Sequence, residues 1–216
     1  MDATTYSFFI TTLTTLFIIV DPVAGSMIFS SMTVEMGDAE RRTIAKKTSI
    51  FGCIILLFFA VAGNLILSIF QITTNSLSVA GGILLLLIAI DMMYARRSRE
   101  AYTEEEFKEE REHMYIIPLA IPMLTGPAAI TSVILLMGIA ETFSHKIFVL
   151  LAVIVTFFLT WVLLRSTERL NNFIGVTGGL VFRRMMGLFL AAIAIEFISG
   201  GIWNIYNSLT SGSSGL

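Results

Sequence analysis

Residues 20–26 read Val-Asp-Pro-Val-Ala-Gly-Ser, an acid followed at once by a proline deep inside the apolar stretch 7–33. A proline within a helix removes one amide donor and clashes with the carbonyl four residues back, while glycine admits backbone angles that other residues avoid. In lipid, each polar group so freed costs about several kcal/mol unless protein, water or ligand meets it. Such a break inside an apolar span predicts a discontinuous membrane helix whose gap lines a cavity.

The same punctuation recurs in residues 118–131, Pro-Leu-Ala-Ile-Pro-Met-Leu-Thr-Gly-Pro-Ala-Ala-Ile-Thr, and all 4 prolines of the chain lie in these two segments. At an offset of 105 residues Pro22 falls on Pro127 and Ala24 on Ala129. Without a gap, Gly82 falls on Gly187, Leu85 on Leu190, and Ile88-Ala89-Ile90-Asp91 on Ile193-Ala194-Ile195-Glu196. This self-similarity predicts a duplicated unit.

Composition supplies the setting. Of 216 residues, 56% are hydrophobic and 14% charged, and mean hydropathy is +0.84. That is the balance of a polytopic membrane protein. Six apolar stretches, 7–33, 48–70, 77–94, 115–139, 146–164 and 184–208, are each long enough to span at about 20 residues per crossing. With the N-terminus outside, the loops 34–47, 95–114 and 165–183, with Arg184 just beyond the last, carry every Lys and Arg of the 14 except Lys146. Short loops rich in Lys and Arg stay cytoplasmic, so both termini are expected outside.

The expected fold is thus an all-α membrane protein of six transmembrane helices, arranged as two inverted three-helix repeats with helices 1 and 4 discontinuous. Its units are residues 1–94, a charged cytoplasmic linker 95–114, and the second repeat 115–210. Three spans per repeat is an odd number, so the second copy enters from the opposite side. Inverted repeats of this kind recur in secondary transporters, with the substrate held near the midplane. The tail 211–216 (SGSSGL) reads as an appended tag remnant, and span 1 as a retained signal-anchor rather than a cleaved signal peptide.

Other classes find little here. The net charge of −2 says little about partners. No basic patch is interleaved with aromatics, so no nucleic-acid partner is expected. The single cysteine, Cys53, offers neither an intrachain disulfide nor a thiolate metal site, and no cofactor is implied. His113 and His145 are in loops. The spans contain no HExxH, GxSxG or GxGD constellation, so an enzyme is not expected.

The two breaks are the candidate substrate site: Asp21, Pro22, Gly25 and Ser26 in span 1, and Thr125, Gly126, Pro127, Ala128 and Ala129 in span 4. Residues after each proline would form half-helix N-termini, whose amides and positive dipole ends favour a carboxylate. Asp21 reads either as the cap of the half-helix starting at Pro22 or as an ion-coupling or ammonium-binding group. Glu196 lies about 18 Å from the cytoplasmic end of span 6. A charge near the midplane costs at least about 2.5–3.5 kcal/mol, so its face (Ala192, Glu196, Gly200, Asn204) is expected to point inward, as a proton relay, a cation site or a protonated carboxyl bonded to a neighbouring carbonyl. Asp91, its repeat mate, reads as an interfacial anchor. Thr156 with Thr160, and Ser49 with Gly52 and Cys53, share helix faces suited to packing.

Taken together, DPVAGS (21–26), SVAGGILLLLIAIDMM (78–93), IPLAIPMLTGPAAI (117–130) and RRMMGLFLAAIAIEFISGGI (183–202) resemble the MarC family of six-span inner-membrane proteins, also called the small neutral amino-acid transporter family. The likeness runs over nearly all of residues 6–207. Family members often carry Asn-Pro where this chain has Asp21-Pro22, so the chain adds an acid at the first break. The resemblance implies transport of glycine, alanine and similar amino acids across the plasma membrane, driven by a cation gradient (H+ or Na+). The alternative on the same fold is an exporter or channel for other small solutes. Oligomeric state, direction of flux and coupling ion are not legible in the sequence.

Overall fold

Helix α1 (Ala3–Val20) and α2 (Pro22–Met32) are separated by the single residue Asp21. In this computed structural model residues 3–34, 36–94, 124–140 and 142–212 are described. Among them only helices form: after α1 and α2 come α3 (Asp38–Ile69), α4 (Thr74–Met93), α5 (Pro127–Gly138), α6 (Phe143–Arg165) and α7 (Thr167–Gly212). Five stretches are long and apolar enough to cross a membrane: Tyr6–Ser30, Asp38–Ile69, Thr74–Met93, Phe143–Arg165 and Gly178–Thr210, with Pro127–Gly138 a shorter apolar helix. The linker 95–114 and the first part of the expected fourth span lie outside the described residues.

Helix starts follow local chemistry. Pro22 and Pro127 each take the first helical position, where a missing amide costs nothing. Thr73 and Thr142 cap α4 and α6 by accepting the amides of Ser76 and His145 at 3.1 and 3.2 Å. Helix α3 begins well before the expected 48, so Arg41, Arg42, Lys46 and Lys47 lie on helix rather than loop. Asp38 and Glu40 in its first turn suit the positive dipole end there. Likewise Arg183 and Arg184 lie within α7, not in a loop before it; α7 bends at Gly175, whose φ of 64° a side chain would resist.

The tightest seam joins α4 and α7. A Cβ on Gly82 would meet Ala194 and Ile198, one on Gly187 would meet Ala89, Met92 and Met93, and one on Gly201 would meet Asn75, Ser78 and Val79. Residue numbers rise along one helix as they fall along the other, so the pair is antiparallel. Ser78 adds a hydrogen bond to the Phe197 carbonyl at 2.8 Å. In lipid, where apolar burial drives little, small residues that admit close backbone approach hold helices together.

The rest of the packing is reciprocal. Helix α2 packs on α6 and α7, whereas α5 packs on α3 and α4. Gly52 of α3 lies against Phe157 of α6. Helix α1 runs beside α6, with Phe8 stacked on His145 at 4.4 Å between ring centroids and Phe9 against Phe148 at 5.5 Å. Two apolar clusters fill the interior, one around Leu16, Val20, Leu56, Leu124, Val133 and Phe157, the other around Ile18, Leu85, Ala89, Ala128, Leu190 and Ala194. The outer surface is a belt of exposed apolar side chains, such as Ile54, Phe58 and Val61 on α3 and Ile154 and Phe158 on α6. Those residues meet lipid, not water.

Candidate functional site

At the first break Asp21 adopts φ 44°, ψ 62°, a left-handed conformation that an acid tolerates better than most residues. The residue before a proline is pushed out of the right-handed helical region, and here that displacement splits span 1. Asp21 closes the gap from both sides. Its amide donates to the Phe17 carbonyl at 3.1 Å, its own carbonyl accepts the Gly25 amide at 3.0 Å, and its Oδ1 accepts the Ala24 amide at 3.2 Å. Ser26, fully buried, donates its hydroxyl to the Val23 carbonyl at 2.7 Å. Of the amides expected to bind a ligand, that of Gly25 is occupied by Asp21, and Ser26 sits a full turn into α2. The capping role of Asp21 is present in the geometry.

The second break differs. Gly126 precedes Pro127 in an extended conformation (φ −58°, ψ 171°) and has no side chain with which to cap α5. Its carbonyl accepts the Ile130 amide at 3.1 Å, and the Thr131 hydroxyl donates to the Pro127 carbonyl at 2.8 Å. The Ala128 and Ala129 amides have no acceptor among the described residues, although their side chains are only 4% and 3% exposed. Buried amides without partners are rare in folded proteins and costly, about 1–3 kcal/mol each. Two of them side by side at a helix N-terminus are suited to an anion.

The two breaks are neighbours. Helix α1 packs on α5. Ile18 shares one apolar cluster with Ala128, and Val20 shares the other with Leu124 and Ala129. Asp21 and Gly126 are half-buried and Pro127 is exposed, while the flanking Val20, Thr125, Ala128 and Ala129 are buried. The Asp21 carboxylate thus marks one break, and two amides without an acceptor among the described residues mark the other.

Arg183, assigned from sequence to a cytoplasmic loop, lies close enough for its charge to act on the Asp21 carboxylate. Its place in the RRMMG run, directly before an apolar stretch, was the available signal. Glu196 is not brought to Asp21. It is exposed, as are Ala192 and Asn204, so the face expected to point inward points outward. The reason is that α7 has small residues on two faces, and Gly187, Leu190, Ala194 and Gly201 form the one pressed on α4. Thr156, Thr160, Ser49 and Gly52 are buried, the last against Phe157.

Comparison with known proteins agrees with this architecture. The profile of MarC family integral membrane proteins matches residues 6–206. A UPF0056 membrane protein of Methanocaldococcus jannaschii is 37% identical over 196 residues, covering 90% of this chain and 96% of the relative. One from Archaeoglobus fulgidus is 35% identical, covering 94% and 96%. The UPF0056 membrane protein YvbG of Bacillus subtilis is 32% identical, covering 95% and 99%. No solved structure matches the chain.

Proposed function

The chain belongs to the MarC family of integral membrane proteins, and on that footing we propose that it is a secondary transporter of small neutral amino acids of the glycine and alanine class. It is multi-pass; in this reading it crosses the cell membrane six times with both termini outside. It consists of two inverted three-helix repeats that rock about a site between the broken helices, and the reaction is translocation rather than chemistry. Reciprocal seams support the repeat: Gly82 meets Ala194 as Gly187 meets Ala89, and each pair maps onto the other at the 105-residue offset.

The observation that carries the substrate class is the pair of uncapped, buried amides at Ala128 and Ala129, facing a break whose counterpart is closed by Asp21. The substrate carboxylate docks on those amides, and its ammonium is met by Asp21 and the carbonyls near Thr125 and Gly126. Half-helix termini serve anionic groups of transported amino acids in this manner in discontinuous-helix carriers. Small residues flank both breaks (Ala24 and Gly25, Ala128 and Ala129), which favours a substrate with a small side chain. Coupling to H+ or Na+ falls to Asp21, since Glu196 points away from the gap.

The test is transport by the purified protein in liposomes. Labelled glycine or alanine should accumulate under an imposed proton or sodium gradient, and unlabelled substrate inside should accelerate entry by counterflow. Failure to concentrate any neutral amino acid above empty vesicles would refute the substrate assignment. Uptake without counterflow would mark a channel instead.

A further inference from the structure

Glu196 lies within about one turn of the midpoint of the Gly178–Thr210 helix, and it is exposed on the outside of the bundle. An acid there faces hydrocarbon. Its stem is too short to carry the carboxyl to headgroups about 15 Å away, and lipid tails offer no hydrogen bond. The charge costs at least about 2.5–3.5 kcal/mol unless something meets it. Nothing in the described chain does.

We propose that this outward face of α7 is the seam along which a second copy of the chain packs, with the two Glu196 side chains meeting across a twofold axis parallel to the membrane normal. The spacing of the face argues for a helix as occupant. Phe189, Ala192, Glu196, Ser199, Trp203 and Tyr206 recur at alternating steps of three and four, and all are exposed. That is the seam pattern of two helices wound about each other. Ala192 and Ser199, about one turn to either side of Glu196, are small enough for close backbone approach, and a Cβ on nearby Gly200 would meet nothing within 4 Å.

Self-pairing supplies what the acid lacks. In a parallel pair about a normal axis, equal levels meet, so each Glu196 finds its own counterpart. Two carboxyl groups at close range can hydrogen-bond to each other, which lipid tails cannot do for either. Ser199, one turn away, donates its hydroxyl to the Glu196 carbonyl at 3.3 Å and keeps its oxygen as an acceptor on the same face. A single polar residue in an otherwise apolar seam also fixes register, since any slip strands it in hydrocarbon.

The test needs no transport measurement, so it stands apart from the substrate assignment. Cys53 is the only cysteine, so a Cys53→Ala background accepts single probes at Ala192→Cys or Ser199→Cys. Comparison probes go at Phe58→Cys on α3 and Phe158→Cys on α6, both exposed. The variants are reconstituted at high lipid-to-protein ratio and oxidised with copper phenanthroline. Covalent dimer is expected at Ala192 and Ser199 and not at the comparison sites. Adding Glu196→Leu should cut its yield at least tenfold, while Glu196→Gln, which still hydrogen-bonds, should retain most of it. Equal yields at all four sites would mean random encounter; no dimer at Ala192 and Ser199 would leave the face to lipid or another partner. Either result overturns the proposal, as does a Glu196→Leu variant that dimerises like its parent.

Discussion

Gly82 of α4 stands so close to α7 that a Cβ built on it would lie 2.8 Å from the carbonyl oxygen of Ala194. Its counterpart Gly187 stands against the Ala89 carbonyl in the same way, at 3.0 Å. Backbone oxygen cannot swing aside as a side chain can, so a methyl at either place must part the helices. Gly82→Ala and Gly187→Ala should therefore each lower stability, by about 1–3 kcal/mol as for overpacked sites, and by similar amounts. Gly200→Ala, with open space around it, should be neutral or gain up to about 1 kcal/mol from helix propensity. Thermal unfolding in detergent measures all three. A large loss at Gly82 with none at Gly187 would contradict the reciprocal seam.

Gly126 can be turned into a second Asp21. Its extended backbone accepts any side chain, and Gly126→Asp would place a carboxylate on the Ala128 and Ala129 amides as Asp21 sits on Ala24. Capping should hold or raise stability by a few tenths of a kcal/mol, since glycine is only slightly the poorer cap. Substrate binding should fall at least tenfold, because the anion seat is filled. Ligand-induced thermal shift with glycine reads both effects at once. Full retention of the shift in a well-folded Gly126→Asp protein would show that the carboxylate binds elsewhere.

Asp21 joins a structural role to a proposed functional one, and two substitutions separate them. Asp21→Asn keeps a capping oxygen and the tolerance for left-handed backbone, so the melting temperature should change little. Asp21→Ala should lose about 0.5–2 kcal/mol from the missing cap, besides the left-handed strain on alanine. If Asp21 meets the substrate ammonium or the coupling ion, uptake should collapse at least tenfold in both variants, including the stable Asp21→Asn. Uptake that tracks stability alone would reduce Asp21 to a cap.

The breaks were legible because prolines and glycines act locally: Pro22 and Pro127 begin helices as their chemistry requires, whatever packs around them. Gly82 and Gly187 were legible as a pair because the seam they occupy is a demand on residue size. Glu196 was misread for the opposite reason. In water an acid marks the outside of a helix, but in a membrane the expectation inverts, and small residues on both faces of α7 gave no local clue to which one met α4. Arg183 was hidden by the convention that basic residues end a span; α7 carries it inward instead. The contrast between a capped α2 and an uncapped α5 could be suspected from Asp21 and Gly126, yet only the hydrogen bonds reveal that the Gly25 amide is already used.

The orientation proposed from the charge distribution can be tested directly. Ser144 lies in the first turn of α6 and Ser208 near the C-terminal end of α7, both exposed, while Ala39 lies in the first turn of α3 near Arg41 and Arg42. Trp203 and Tyr206 lie toward one end of α7, and Trp161 with Arg165, 5.5 Å from its ring, toward the end of α6, as aromatic side chains at the two interfaces should. In a Cys53→Ala background, Ser144→Cys and Ser208→Cys should react with a membrane-impermeant maleimide added outside intact cells, and Ala39→Cys only after the membrane is breached. The Arg and Lys residues gathered in the stretches 34–47, 95–114 and 165–184 predict that pattern. Labelling of Ala39→Cys from outside, with the other two protected, would invert the topology and place the uncapped terminus of α5 on the opposite route of entry.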